Sequence, residues 1–370
     1  MLTLSKNIQD ELQQTTRLLT MNGKGILAAD ESMSTIGKKF VQISVENSKE
    51  NRRLYRQMLF GDNRIGEFIS GVILHDETLY QKDDNGKNFV DLLRERQIIP
   101  GIKVDKGLAT LMGTNNETTT QGLDDLKLRC EEYYKIGCRF AKWRAVLKID
   151  DHSGLPSSLA IAENVRGLAR YASICQECRI VPIVEPEVLS DGNHSLEKCQ
   201  QVSQKVFAAT IAALHEHNVL MEGILLKPNM ITAGHDYNNS VAANNAEDIG
   251  MATVITLMRT IPPSVPGIMF LSGGQSEEEA TINLSMINQI GAKFKPKTPW
   301  ALSFSYGRAL QNSAITIWSG NVENVGKARD ELIRRMKANS LASQGRYIPG
   351  SSKTSSSTAT KSNYIAKHVY

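Results

Sequence analysis

Eight short apolar runs alternate with helical patterns along the chain, and this alternation restricts the fold more than any other feature. The runs are Gly25 to Ala29, Ile69 to Leu74, Gly101 to Val104, Phe140 to Trp143, Ile180 to Val184, Gly223 to Leu226, Gly267 to Leu271 and Ala301 to Ser305. Between them lie stretches such as "SKENRRLYRQMLF", in which Leu54 and Met58, then Tyr55 and Leu59, recur at four-residue spacing. Another, "SEEEATINLSMI", opens with Ser276 and Glu279 in capping-box register. Strands that alternate with helices require crossover connections and a parallel sheet buried on both faces. Eight such units in 370 residues predict an α/β fold, a (β/α)8 TIM barrel preceded by one extra N-terminal helix. A doubly wound open sheet is the alternative, but no GxGxxG follows the first strand. The single catalytic domain is placed at 1–346. Residues 347–370 include "GSSKTSSSTATKSNYIAKHVY", almost free of large apolar side chains until Tyr364, and read as a mobile tail. The segment "GAKFKPKTPW" reads as a basic surface loop.

Composition removes several function classes. Lys plus Arg exceed Asp plus Glu by 43 − 39, a charge of +4 with no long basic run, which argues against nucleic acid. The N-terminus has no apolar signal core and no run reaches eighteen apolar residues, so a soluble, cytoplasmic protein without membrane insertion is expected. Five cysteines, an odd number, argue against a disulfide framework. Cys175 and Cys178 form a CxxC that closes a helical stretch, whereas a thioredoxin-like pair opens one. The seven histidines are scattered, and "HEH" at 215–217 is not HExxH, so no protein-bound metal is expected.

The charged residues collect at the carboxyl ends of the runs. The first ends on Asp30. "GIKVD" sets Lys103 and Asp105 two apart, "AKWR" does the same with Lys142 and Arg144, and "IVEPE" with Glu185 and Glu187. The sixth ends on Lys227 in "GILLKPNM". Residues i and i+2 share a strand face, and in a barrel all these ends converge on the face where such enzymes place their chemistry. Ion pairs plugging the mouth would be the structural alternative. A lysine desolvated among other cations becomes a neutral amine able to attack a carbonyl, and a nearby carboxylate can move the protons of imine formation. The last two runs end in "LSGGQ" and "SYGRA", whose Ser272, Gly273, Gly307 and Arg308 offer a hydroxyl, accessible amides and a guanidinium to a phosphate.

With those residues in place the chain strongly resembles the class I fructose-1,6-bisphosphate aldolases. The matching stretches run in order from Gly23 to Gly345: "GKGILAADES", "NRRLYRQ", "ETLYQK", "GIKVDKG", "TTTQGLD", "FAKWR", "IVPIVEPE", "LLKPNM", "FLSGGQSEEEA" and "SFSYGRAL". The resemblance implies a metal-free and cofactor-free barrel enzyme, usually a homotetramer. It would reversibly cleave fructose 1,6-bisphosphate into dihydroxyacetone phosphate and glyceraldehyde 3-phosphate. By motif, Lys227 matches the Schiff-base lysine, Glu185 the acid/base, Glu187 a residue that orients neighbouring charges, Asp30 the group engaging the C4 hydroxyl, and Lys142 a lysine that stabilises charge. Ser272, Gly273, Gly307 and Arg308 fall on the C1-phosphate site; Ser32, Thr35 and Lys103 fall on the C6-phosphate side; Arg144 is a further substrate contact. Tyr370 resembles the family's C-terminal tyrosine, which aids proton exchange at C3, although residue chemistry alone favours a disordered end. Lys39 stands where many members have arginine, Thr35 where serine is common, and the loop before the eighth run is longer. These departures bear on preference between fructose 1,6-bisphosphate and fructose 1-phosphate.

A transaldolase-like Schiff-base barrel is a second reading, but it needs only one phosphate site. Family members also bind cytoskeletal or membrane-associated partners, so the resemblance further implies a secondary scaffold role with actin or adhesin-tail partners.

Overall fold

The computed structural model describes residues 4–237, 245–352 and 362–364. Eight parallel strands close on themselves. Among the described residues the ten strands are, in chain order, β1 (Gly25–Ala29), β2 (Ile69–Leu74), β3 (Ile99–Lys103), β4 (Leu108–Thr110), β5 (Thr118–Thr120), β6 (Phe140–Leu147), β7 (Val181–Val188), β8 (Leu225–Leu226), β9 (Gly267–Phe270) and β10 (Ala301–Tyr306). The barrel runs β1-β2-β3-β6-β7-β8-β9-β10 and closes where Ile26 and Leu27 pair with Ser305 and Tyr306. The helices between the strands make this the (β/α)8 barrel expected from the alternation. β4 and β5 form an antiparallel hairpin outside it, tied on by Thr120 Oγ1 donating to the Arg144 carbonyl at 2.8 Å.

β1 and β2 occupy the spans read from the sequence, and the differences elsewhere have local causes. β7 continues to Val188 through Pro186, with Pro182 and Pro186 opposite Ala141 and Ala145 of β6. Four residues apart, the two prolines present the same edge, so the donors facing the other neighbour are untouched. β8 is shorter than expected because the backbone of Met221–Gly223 coils into a 3-10 turn. The carbonyls of Glu222 and Gly223 there accept from Thr16 and Gln176 side chains instead of a strand. Ser276 and Glu279 make the anticipated capping box on the Glu277–Lys293 helix. Cys175 lies inside the Ser158–Glu177 helix and Cys178 caps its end, and all five cysteines are buried free thiols.

The extra helix, Lys6–Leu19, has a definite place. Its buried Leu12 and Leu19 join Ile26, Ile73, Phe140, Ile183, Leu225 and Met269 in a small cluster that fills the barrel interior. Gly71 lets Leu19 and Phe140 close in, and a Cβ on Gly101 would lie 2.3 Å from the Phe140 ring. The amino-terminal end is thereby packed shut with apolar groups. Chain polarity at the strand ends can then be expressed at one mouth only. Beyond residue 346, Tyr347 packs at 4% exposure with its hydroxyl 2.7 Å from Glu278 Oε1, and residues 362–364 lie across the loop after β9. Among the described residues, no helix is long and apolar enough to cross a membrane.

Overpacking of a close-packed barrel is destabilising. Gly101→Ala is expected to lower unfolding stability by about 1–3 kcal/mol in urea melts. Adding Phe140→Leu, which removes the clashing ring, should recover part of that loss; no recovery would show that the strain lies elsewhere.

Candidate active site

Four charged side chains form a continuous line at the carboxyl mouth. Asp30 follows β1 directly, Lys142 lies in β6, Glu185 in β7, and Lys227 is the first residue beyond β8, held in register by its N–H to the Val184 carbonyl at 2.8 Å. Lys142 Nζ is 2.8 Å from Asp30 Oδ2 and 3.5 Å from Glu185 Oε2, and Lys227 Nζ is 3.2 Å from Glu185 Oε1. All four are at most 2% exposed. Burial pushes the Asp30 carboxyl up, but Lys142, Lys227 and Lys103 together outweigh it and hold the group well below the usual carboxylate range. Asp30 is therefore ionised at any working pH.

The second pair members lie beside this line. Lys103 Nζ is 2.7 Å from Asp105 Oδ1, and Arg144 Nε is ion-paired with Glu187. The i, i+2 register thus brings Lys142 with Arg144, and Glu185 with Glu187, to one mouth, and it pairs them across strands instead of leaving four cations crowded together. Asn229, inside the motif of Lys227, fixes the outlet of β7 and β8: its Oδ1 accepts from Val188 N at 3.0 Å and its Nδ2 donates to the Met230 carbonyl.

Two further groups of polar residues lie after β9 and β10 and after β1. On one side Ser272 is buried, Gly273 and Gly274 take φ of +55° and +86°, and Gly307 and Arg308 open the Arg308–Trp318 helix. Positive φ at those glycines is a conformation that L side chains rarely adopt, and a Cβ on Gly274 would lie 3.2 Å from the Tyr364 backbone. Here Asn363 of the carboxyl-terminal segment donates its N–H to Gly274 O at 3.0 Å and its Nδ2 to Gln275 O at 2.9 Å, and accepts at its carbonyl from Arg308. Tyr364 stacks on His235 at 3.8 Å and donates to Asp191. On the other side Ser32 caps the Met33–Gln42 helix, with its Oγ 3.0 Å from Thr35 Oγ1. Lys39 does not stand free here. It is ion-paired with Glu31, which also holds Arg56 at 2.8 Å, and it donates to Gln311 Oε1 at 2.9 Å.

Sequence reading left Glu31, Arg56, Gln311, Asn229 and Asn363 without roles. Glu31, Arg56, Gln311 and Asn229 fall inside or next to the quoted motifs, but most of their partners lie on other elements, so spacing carried no signal. Tyr370 lies outside the described residues. Among the described residues, no group of three or more His, Cys, Asp or Glu is placed to hold a metal ion.

A parallel eight-stranded barrel with buried lysines and carboxylates linked at its carboxyl mouth has the architecture and the site of a barrel enzyme. Comparison with known proteins narrows this. The profile of the family "Fructose-bisphosphate aldolase class-I", glycolytic, matches residues 11–370. Fructose-bisphosphate aldolase 2 of Plasmodium berghei is 55% identical over 99% of this chain and 96% of its own length. Mouse fructose-bisphosphate aldolase C is 55% identical, over 99% and 98%. A solved Plasmodium falciparum fructose-bisphosphate aldolase, in a ternary complex with TRAP and a small molecule inhibitor, superposes with a TM-score of 0.91 at 55% identity, covering 94% of this chain and 98% of that one. The chain belongs to the class I fructose-bisphosphate aldolase family, and its reaction is the reversible cleavage of fructose 1,6-bisphosphate into dihydroxyacetone phosphate and glyceraldehyde 3-phosphate.

The Glu31 carboxyl would be pushed up by burial, yet Lys39 and Arg56 bring it down to about 2. A depressed pKa stabilises the fold above the ordinary glutamate value of 4.5, and that stabilisation is lost as pH falls toward 2. Arg56→Met should therefore cost about 3–5 kcal/mol at pH 7. The gap to wild type should narrow between pH 4.5 and 2, read from urea midpoints at both ends of the window. A gap independent of pH would contradict this electrostatic origin.

Proposed function

We propose that cleavage proceeds through an imine on Lys227, with Glu185 as its proton shuttle. The observation that carries this reading is the single carboxylate of Glu185 within 3.2 Å of Lys227 and 3.5 Å of Lys142, all three buried. Attack of the Lys227 amine on the C2 ketone gives a carbinolamine, and Glu185 protonates its departing hydroxyl, so water leaves and a protonated imine forms. The C3–C4 electron pair then flows into the iminium, a better sink than a ketone oxygen. The C4 hydroxyl loses its proton as glyceraldehyde 3-phosphate leaves, the remaining enamine takes a proton at C3, and hydrolysis of the imine releases dihydroxyacetone phosphate.

Asp30 engages the C4 hydroxyl. A carboxylate held so acidic by Lys142 is a poor final proton acceptor. Substrate that enters between the two lengthens their 2.8 Å contact and makes Asp30 more basic at the moment it is needed. Lys142 then returns its charge to the developing products, while Glu187 orients Arg144 as a substrate contact. Ser272, Gly273, Gly307 and Arg308 grip the C1 phosphate; Ser32, Thr35 and Lys103 grip the C6 phosphate. Holding both ends supplies orientation, where much of the rate originates. Tyr370 would assist proton exchange at C3. The enzyme works without metal or cofactor, as a homotetramer in the cytoplasm. A secondary scaffold role, with actin or adhesin-tail partners, is supported by the TRAP complex of the Plasmodium falciparum relative.

Lys227→Met should reduce kcat by at least ~10,000-fold and Glu185→Gln by roughly 100–10,000-fold. EDTA should leave wild-type turnover unchanged, and partner binding should survive Lys227→Met. Activity retained in Lys227→Met, or lost to EDTA, would overturn the imine reading.

A further inference from the structure

Gln311 lies outside the reacting groups, yet it touches both halves of the site. It follows Arg308 by one helical turn in the Arg308–Trp318 helix and is fully buried. Its Nε2 donates to the Ala28 carbonyl at 2.7 Å, two residues before Asp30 on β1. Its Oε1 accepts from Lys39 Nζ and from Tyr55 Oη, both at 2.9 Å. The amide cannot be turned round, because an ammonium only donates and a backbone carbonyl only accepts. Lys39 belongs to the Met33–Gln42 helix, whose first turn carries Ser32 and Thr35, and its ammonium is also ion-paired with Glu31.

One side chain therefore joins four elements: the helix that starts with the C1-phosphate arginine, the strand that ends in Asp30, the helix that starts with the C6-phosphate hydroxyls, and through Tyr55 the Lys49–Phe60 helix. The contact is close on the same side. A Cβ on Gly307 would lie 3.2 Å from that same Ala28 carbonyl, so the phosphate loop rests directly against β1.

We infer that Gln311 is a positioning residue that sets the separation of the two phosphate grips and so governs preference for a bisphosphate over a monophosphate sugar. This rests on the two-phosphate reading above. A substrate held at both ends gains from the second grip only when the spacing of the grips matches its own length. A substrate with a single phosphate aligns itself on one grip and is indifferent to the spacing. Gln is required because its neutral amide offers a donor and an acceptor together. A carboxylate in its place would lose the bond to Ala28 and draw Lys39 away from Glu31.

The test compares kcat/KM for fructose 1,6-bisphosphate and fructose 1-phosphate in wild type and in Gln311→Met, which keeps the length of the side chain and removes its hydrogen bonds. The ratio should fall at least ~10-fold in the variant, with a raised KM for the bisphosphate, while fructose 1-phosphate cleavage stays within about 3-fold of wild type. Equal losses on both substrates would mark a purely structural residue and overturn the inference, as would an unchanged ratio. If Gln311→Met does not fold, Tyr55→Phe removes one of the two donors to Oε1, and the ratio should fall about 2–3-fold; a constant ratio there also overturns it. Wild type reports on the underlying reading by itself. No preference for the bisphosphate in wild type would count against the two-grip site, whereas a preference that survives both variants would count against Gln311 alone.

Discussion

One carboxylate holds two lysines at the bottom of the mouth, and most of the remaining architecture follows from that contact. Glu185 sits between Lys142 and Lys227 with all three almost inaccessible to water. Burying an ionic group without a partner is prohibitive, and even a paired one is tolerated only with good geometry. The geometry here depends on rigid neighbours. β6 and β7 pair over eight successive positions, the longest ladder of the barrel, and β8 contributes its lysine at the point where its short ladder ends. Pro228 follows at once; it has no N–H to donate, and its carbonyl accepts from Leu271 at 3.0 Å.

The two ends of the barrel divide the work. At the amino-terminal end the Lys6–Leu19 helix, Phe140 and the glycines of β2 and β3 exclude water by close apolar packing. At the carboxyl end β1, β3, β6, β7 and β8 carry charged side chains instead: Asp30, Lys103, Lys142, Glu185 and Lys227. A barrel open or polar at both ends could not keep its lysines desolvated. The apolar plug thus helps to keep the charged mouth desolvated.

Much of this was legible in the sequence because the strand period is two and the barrel collects its strand ends. "AKWR" and "IVEPE" placed Lys142, Arg144, Glu185 and Glu187 on one face without any knowledge of the fold, and "LSGG" and "SYGR" marked glycine turns. What was not legible depended on contacts between distant segments. Gln311 and Lys39 are separated by 272 positions, and nothing near either residue in the sequence announces the other. Pairing of the cations with specific carboxylates was likewise invisible, since charge spacing says which face a residue occupies and not which partner it meets. β8 was read too long because the side chains of Thr16 and Gln176, far off in the chain, capture its backbone.

The most direct test of the lysine at the end of β8 is borohydride trapping in the presence of dihydroxyacetone phosphate, followed by peptide mass spectrometry. Reduction should fix the substrate on Lys227, with activity lost in proportion to the adduct. An adduct on Lys103 or Lys142 would keep an imine mechanism but contradict the roles assigned along the Asp30–Lys142–Glu185–Lys227 line. No adduct on folded, active protein would leave Lys227 as an ion pair at the barrel mouth and contradict the mechanism itself.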